Sequence, residues 1–235
     1  MTDLSNIKLF ATHEHPCSYL EGETATTVFV DPAAEIDNHV YSELSRYGFR
    51  RSGKHIYRPR CSNCHACIPI RTHAHAFKQT RSQKRCWRRN QDMAIRVVQN
   101  INTDEHYSLY ADYIGKKHAD GDMYPPSRSQ YEDFLCEGWG STLYIEGRVG
   151  GKLIMVAVSD KLENGLSAIY TYYDTFESKR SLGVYSILYQ LNLAKKMELQ
   201  YLYLGYWIKR CQKMSYKNHY RPFDVLINNR WVCVY

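Results

Sequence analysis

Three groups of residues in this 235-residue chain have types and spacing that could do chemistry. The first is Cys61-Ser62-Asn63-Cys64-His65-Ala66-Cys67. A C-x2-C-x2-C spacing brings three thiolates within reach of one ion, and zinc or an iron–sulfur cluster suits them equally. A tetrahedral site needs a fourth ligand, and Cys17 or His65 is the choice left open. Three thiols near a turn, with no metal, is the plainer alternative. The second group is Arg180-Ser181-Leu182-Gly183-Val184-Tyr185. A Gly at a helix start lets a phosphate approach free backbone N–H groups, and the helix dipole favours the anion; an ordinary Ser N-cap is the alternative. The third group is Arg81, Lys84, Arg85, Arg88 and Arg89, with Trp87 among them. Their helical spacing makes one cationic face, suited to nucleic-acid phosphate, and Trp87 either anchors that face or stacks on a base.

Composition sharpens the third group. The net charge is +7, but residues 46–96 hold 14 Lys and Arg against the single acid Asp92, a local balance of +13. The remainder is −6. Such asymmetry points to a polyanion bound at one place. The chain has 21 Tyr against 7 Phe, which suits wet, half-buried surfaces such as a cleft. The longest apolar run, residues 153–158, is far short of the ~20 a spanning helix needs. The N-terminus has no signal-peptide pattern, so a cytoplasmic protein is expected, with no membrane partner and with thiols rather than disulfides.

These groups need elements to position them. Alternation predicts strands over residues 24–30, 55–58, 68–77 and 94–99. Helices are expected over residues 33–47, 80–91 and 103–119, the last with Thr103 as N-cap. Residues 142–148, 152–159 and 166–173 read as three strands with short connections, hence an antiparallel meander. An amphipathic helix over 183–197 and a strand over 201–205 follow, and the tail is a hairpin turning at Asn228-Asn229. Meander, Gly-containing turn, helix and strand resemble the acetyltransferase (GNAT) fold. The expected class is α+β: an N-terminal module over residues 1–100 with the Cys knuckle and basic helix, then a GNAT-like mixed-sheet domain over 101–235.

Longer blocks carry a resemblance. Tyr47-Gly48-Phe49-Arg50-Arg51-Ser52-Gly53-Lys54-His55-Ile56-Tyr57-Arg58-Pro59 leads into the Cys cluster and then Thr80-Arg81-Ser82-Gln83-Lys84-Arg85. The far end has Gly205-Tyr206-Trp207-Ile208, Lys213-Met214-Ser215-Tyr216-Lys217 and Arg221-Pro222. Together these closely resemble the aminoacyl-tRNA–protein transferases over nearly the whole chain. That family includes the eukaryotic arginyltransferases and the shorter bacterial aspartate/glutamate leucyltransferases, and the compact length and Cys spacing look like the latter. One departure is that Cys17 is followed three residues on by Leu20, where the arginyl branch has a second Cys.

The resemblance implies transfer of Leu from leucyl-tRNA to the α-amino group of a protein starting with Asp or Glu, which marks it for N-degron degradation. It implies no cofactor for the transfer. Matched to residues, tRNA phosphates would meet Arg81, Lys84, Arg85, Arg88 and Arg89, and the acceptor end would meet Leu182 and Gly183. The acidic substrate side chain would meet Arg50, Arg51, Lys217 or Arg221. Proton transfer would fall to Tyr172, Tyr173, Asp174 or Tyr206, and a metal to Cys17, Cys61, Cys64 and Cys67. Arginyl transfer, another aminoacyl-tRNA acceptor, and a non-catalytic RNA-binding knuckle protein are the competing expectations.

Overall fold

The computed structural model describes residues 7–235. In chain order the elements are β1 (Leu9–Ala11), β2 (His15–Pro16), β3 (Thr24–Ala25), β4 (Thr27–Val30), α1 (Asn38–Arg46), β5 (Arg50–Ser52), β6 (His55–Pro59), β7 (Ile68–His73), α2 (Arg81–Arg89), β8 (Ala94–Val98), α3 (Asp104–Lys117) and α4 (Arg128–Tyr131). A π-helical turn, Glu132–Cys136, follows, then β9 (Thr142–Val149), β10 (Lys152–Lys161), β11 (Gly165–Tyr173), α5 (Leu182–Lys196), β12 (Tyr201–Trp207), α6 (Gln212–Ser215), β13 (Phe223–Ile227) and β14 (Arg230–Val234). The fold is α+β.

Its frame is an eight-stranded mixed sheet in the order β14-β13-β7-β12-β11-β10-β9-β8. β9, β10 and β11 form the expected antiparallel meander, and β11 runs parallel to β12 after the α5 crossover. This is the GNAT-like arrangement of strands and helix. Short connections enforce the meander, whereas a parallel pair needs a crossover long enough to hold a helix. A second sheet, β1-β4-β6-β5, comes from the first sixty residues. The division expected at residue 100 does not coincide with a break in the structure. β7 lies inside the large sheet, where Ile70 joins the core, and β8 forms an edge of it with Ile95 half-buried.

Apolar residues are buried on both faces. On one face α5 packs Leu182, Tyr185, Leu188 and Leu191 against Ile154, Leu202 and Leu204, with Cys86 and Trp87 of α2 alongside. On the other, α3 and α4 bury Tyr110, Ile114 and Tyr131 against Tyr172. α1 caps a third cluster with Val40, Tyr41 and Leu44. Asp37, Thr80 and Thr103 cap α1, α2 and α3 through their side chains, the Thr80–Gln83 pair forming a capping box. Asn228 and Asn229 both take positive φ at the terminal hairpin turn, as the sequence indicates. α1 starts later than expected, at Asn38, because Asp37 supplies its cap. β5 escaped the sequence pattern because a three-residue strand with two arginines carries no apolar alternation.

Candidate active site

The site begins where two strands part. β11 and β12 pair only at Gly165–Tyr201, Leu166–Leu202 and Ser167–Tyr203. Beyond that they diverge, and a cleft of about 920 Å³ opens between Ala168–Thr171 on one wall and Leu204–Tyr206 on the other. The start of α5 and the segment holding Met214 and Lys217 complete it.

Two cations occupy its floor. Arg50 comes in from β5 and donates to Ser167 Oγ at 2.6 Å and to the Ala168 carbonyl at 2.5 Å. Lys217 donates to the Tyr206 carbonyl at 2.8 Å. Both are buried, and neither meets a carboxylate among the described residues. Burial, reinforced by the Arg50 charge, pushes the Lys217 ammonium down to about 7. Gly205 makes the approach possible. Its φ is +78°, and a Cβ there would lie 3.4 Å from Arg50 Nε and 3.7 Å from Lys217 Nζ. Any side chain would intrude between the two cations and sit in the left-handed region.

The other expected recognition cations are paired or lie outside the cleft. Arg51 leaves the opposite face of the same short strand, since successive side chains alternate. It is fully buried and makes a bidentate pair with Asp160, at 2.7 and 2.9 Å. Tyr41 Oη and Thr142 Oγ1 also donate to Asp160. Although Arg51 borders the cleft, its charge is already spent on Asp160, and it holds the first module to β10. Arg221 is exposed at the far edge, where it donates to the Tyr235 carbonyl and lies over the Phe223 ring, outside the cleft lining.

The expected proton-transfer residues are divided between the core, a turn and the cleft. Tyr172 has no exposed surface, and its hydroxyl meets Tyr131 Oη at 2.9 Å inside the core. Burial holds its phenol well above the ordinary value. Asp174 is a turn residue: it accepts from the Phe176 amide and pairs with Lys152 at 2.7 Å. Burial pushes its carboxyl up, but the Lys152 ammonium and the Phe176 amide outweigh that and leave it below the usual range. Tyr206 borders the cleft, yet its hydroxyl donates to the Gly48 carbonyl at 2.8 Å, and burial lifts its pKa far up. Of the group Tyr173 also lines the cleft, with its ring beside Gly183 and 4.8 Å from the Tyr113 ring.

The sequence missed two cleft atoms. Tyr170 Oη and Gln190 Oε1 are buried, belong to cleft-lining residues and have no hydrogen-bond partner among the described residues. Tyr170 shares a strand face with Tyr172, so alternation alone could not choose between them. What separates them is nearness to the splay.

The mouth gathers the predicted anion-binding pieces. Ser181 takes φ 54° and ψ 50° and makes no side-chain cap, so it is not the ordinary N-cap. The Leu182 and Gly183 N–H groups consequently meet no acceptor among the described residues. The Leu182 side chain is core, so only its backbone faces this role. α2 lies against this corner. Cys86 and Asn90 donate to the Arg180 carbonyl, and Trp87 packs on the Tyr185 ring at 5.4 Å, so it anchors the helix rather than waiting for a base. Arg81, Lys84, Arg85, Arg88 and Arg89 are all exposed. Asp92, the one acid of the basic stretch, is held by Arg180 at 2.8 Å and does not neutralise α2.

The thiols are neighbours without forming a closed ligand set. Burial, followed by Cys17, Cys61, Cys64 and Cys211, pushes Cys67 up to about 12. No three of them have sulfurs within 4.8 Å of one another, so the residues as arranged do not fit a tetrahedral ion. Cys211 joins this group and borders the cleft.

Comparison with known proteins gives the family. Residues 15–85 match the family model described as arginine-tRNA-protein transferase, N terminus, and residues 105–227 match its C terminus. The chain belongs to the arginine-tRNA-protein transferase family. It is an aminoacyltransferase. Relatives named aspartate/glutamate leucyltransferase include one from Saccharophagus degradans, 58% identical over 99% of both chains. Others come from Teredinibacter turnerae (55%, covering 99% of this chain and 96% of that one) and Hahella chejuensis (52%, covering 100% of both). Among solved structures, L-PGS from Bacillus licheniformis matches 71% of this chain and 49% of its own at TM-score 0.46 and 10% identity. Among the described residues no helix is long and apolar enough to cross a membrane.

Proposed function

We propose that this cleft moves Leu from leucyl-tRNA to the α-amino group of proteins beginning with Asp or Glu. The amine nitrogen attacks the ester carbonyl carbon, the C–N bond forms, the bond to the terminal ribose oxygen breaks, and the amine's proton ends on that oxygen. The observation that carries the substrate class is the pair Arg50 and Lys217. Two buried cations with no carboxylate of their own make a costly arrangement, and a substrate carboxylate is the group that relieves it. The ester is already activated, so positioning supplies much of the rate. With an α-amino pKa near ~7.7–8.0, a sizeable fraction of the nucleophile is free at neutral pH. Tyr170 Oη and Gln190 Oε1 are suited to orient that amine by accepting its N–H.

The donor end follows from the mouth. The free N–H groups of Leu182 and Gly183 suit a phosphate near the acceptor terminus. The exposed face of α2 suits the phosphates beyond it. Leu as the transferred residue rests on the names of the relatives, while N-degron degradation and a cytoplasmic reaction follow from the family resemblance. The test offers radiolabelled Leu-tRNA or Arg-tRNA with peptides starting Asp, Glu or Lys. Leu should move to the Asp and Glu peptides and not to Lys. Transfer of Arg alone would reassign the donor, and no transfer at all would leave an RNA-binding protein.

A further inference from the structure

We propose that His73, Asp224 and Cys233 form a zinc-class metal site, independent of the cleft, that fastens the terminal hairpin to the large sheet. Three adjacent strands enforce the cluster. Asp224 on β13 is the ladder partner of Arg71 on β7 and of Cys233 on β14. His73 is two residues beyond Arg71 and so shares its face. His73 Nε2 lies 2.5 Å from Asp224 Oδ1 and 3.8 Å from Cys233 Sγ, and all three ligand atoms fall within 4.8 Å of one another. The site is at the Tyr201 end of β12, while the cleft opens at Leu204–Tyr206.

One ring nitrogen faces both an oxygen and a sulfur. A single proton on Nε2 serves one of them, whereas a cation between the three takes a lone pair from each. Tetrahedral zinc bonds of about 2.0–2.3 Å set donors roughly 3.3–3.7 Å apart. The sulfur, 3.8 Å from the imidazole nitrogen, is close to that separation, and the carboxylate–imidazole pair, at 2.5 Å, needs to open by about 1 Å. Mixed N, O and S donors favour a borderline-soft ion over calcium or magnesium.

The surrounding residues aim the ligands. Arg71 Nε holds Asp224 Oδ2 at 2.9 Å, which leaves Oδ1 as a monodentate donor. The Arg71 guanidinium is fixed between the Tyr201 and Trp231 rings, 3.7 and 4.2 Å from their centroids, and the Tyr201 ring meets His73 edge-on at 5.1 Å. Such outer partners fix ligand orientation in metal sites. Cys233 is exposed, which provides an entry path and leaves a fourth position for water. On binding, the Cys233 thiol proton is released to solvent.

Cobalt(II) titration of the whole protein, followed by absorption, tests the site. One equivalent should bind with a thiolate-to-cobalt charge-transfer band. Cys233→Ser and His73→Gln should each weaken binding by at least about tenfold, and Cys64→Ser should leave it unchanged. A wild-type protein without the band, a band that survives Cys233→Ser, or one lost in Cys64→Ser overturns the proposal. A measurement free of variants accompanies it: zinc should protect Cys233 from alkylation, read by mass spectrometry, and equal labelling with and without zinc also overturns it.

Discussion

At the scale of single residues, what matters is which charges are already matched. Arg50 and Arg51 are neighbours, yet one faces the cleft and the other closes on Asp160. Lys217→Met should therefore lower kcat/KM for an Asp-starting peptide by about ten- to a hundredfold, the worth of one charge-assisted contact. The thermal midpoint should stay or rise, since an apolar group replaces a desolvated ammonium. A lowered midpoint with unchanged kinetics would assign Lys217 to structure. The pH dependence follows with its sign. With its pKa near 7, Lys217 is cationic below that and neutral above it. The attacking amine must instead be deprotonated, which favours pH above ~7.7–8.0. The kcat/KM profile for acidic peptides should be a bell, and its alkaline limb should vanish in Lys217→Arg, whose guanidinium stays charged. A limb that persists in that variant belongs to another group.

At the scale of elements, the helices and the meander were legible because their signals are local. Thr103 announces a cap, and the short turns of β9–β11 leave only an antiparallel path. The choice between Arg50 and Arg51, or Tyr170 and Tyr172, was not legible. It depends on which side of a strand meets a partner more than a hundred residues away, or on where two strands diverge, and no local spacing encodes either. α2 is the element whose charge was clearest from sequence, since its cationic face has no acid to balance it. The double variant Arg85→Glu, Arg88→Glu should weaken tRNA binding and flatten the slope of log K against log salt by about 1.5, two phosphate contacts being lost. Both residues are exposed, so folding should be unaffected. An unchanged slope would remove α2 from the tRNA path.

At the scale of the whole molecule, the N-terminal sheet and the large sheet are welded through Asp160. That carboxylate accepts from Arg51 twice, from Tyr41 and from Thr142, so it joins α1, β5, β9 and β10 at one buried point. Arg50 depends on the weld, because β5 can place it in the splay only while the first module stays docked. Asp160→Ala leaves the Arg51 guanidinium buried and unpaired, which should cost about 3–5 kcal/mol and lower the thermal midpoint by roughly 10 °C. Combining Arg51→Met with Asp160→Leu should recover much of that loss, since a packed apolar pair avoids the desolvation of both charges. Calorimetry should find a single transition in all three proteins. Two separate transitions in the wild type would mean that the modules fold independently, and Arg50 would then reach the cleft by docking rather than by a shared core.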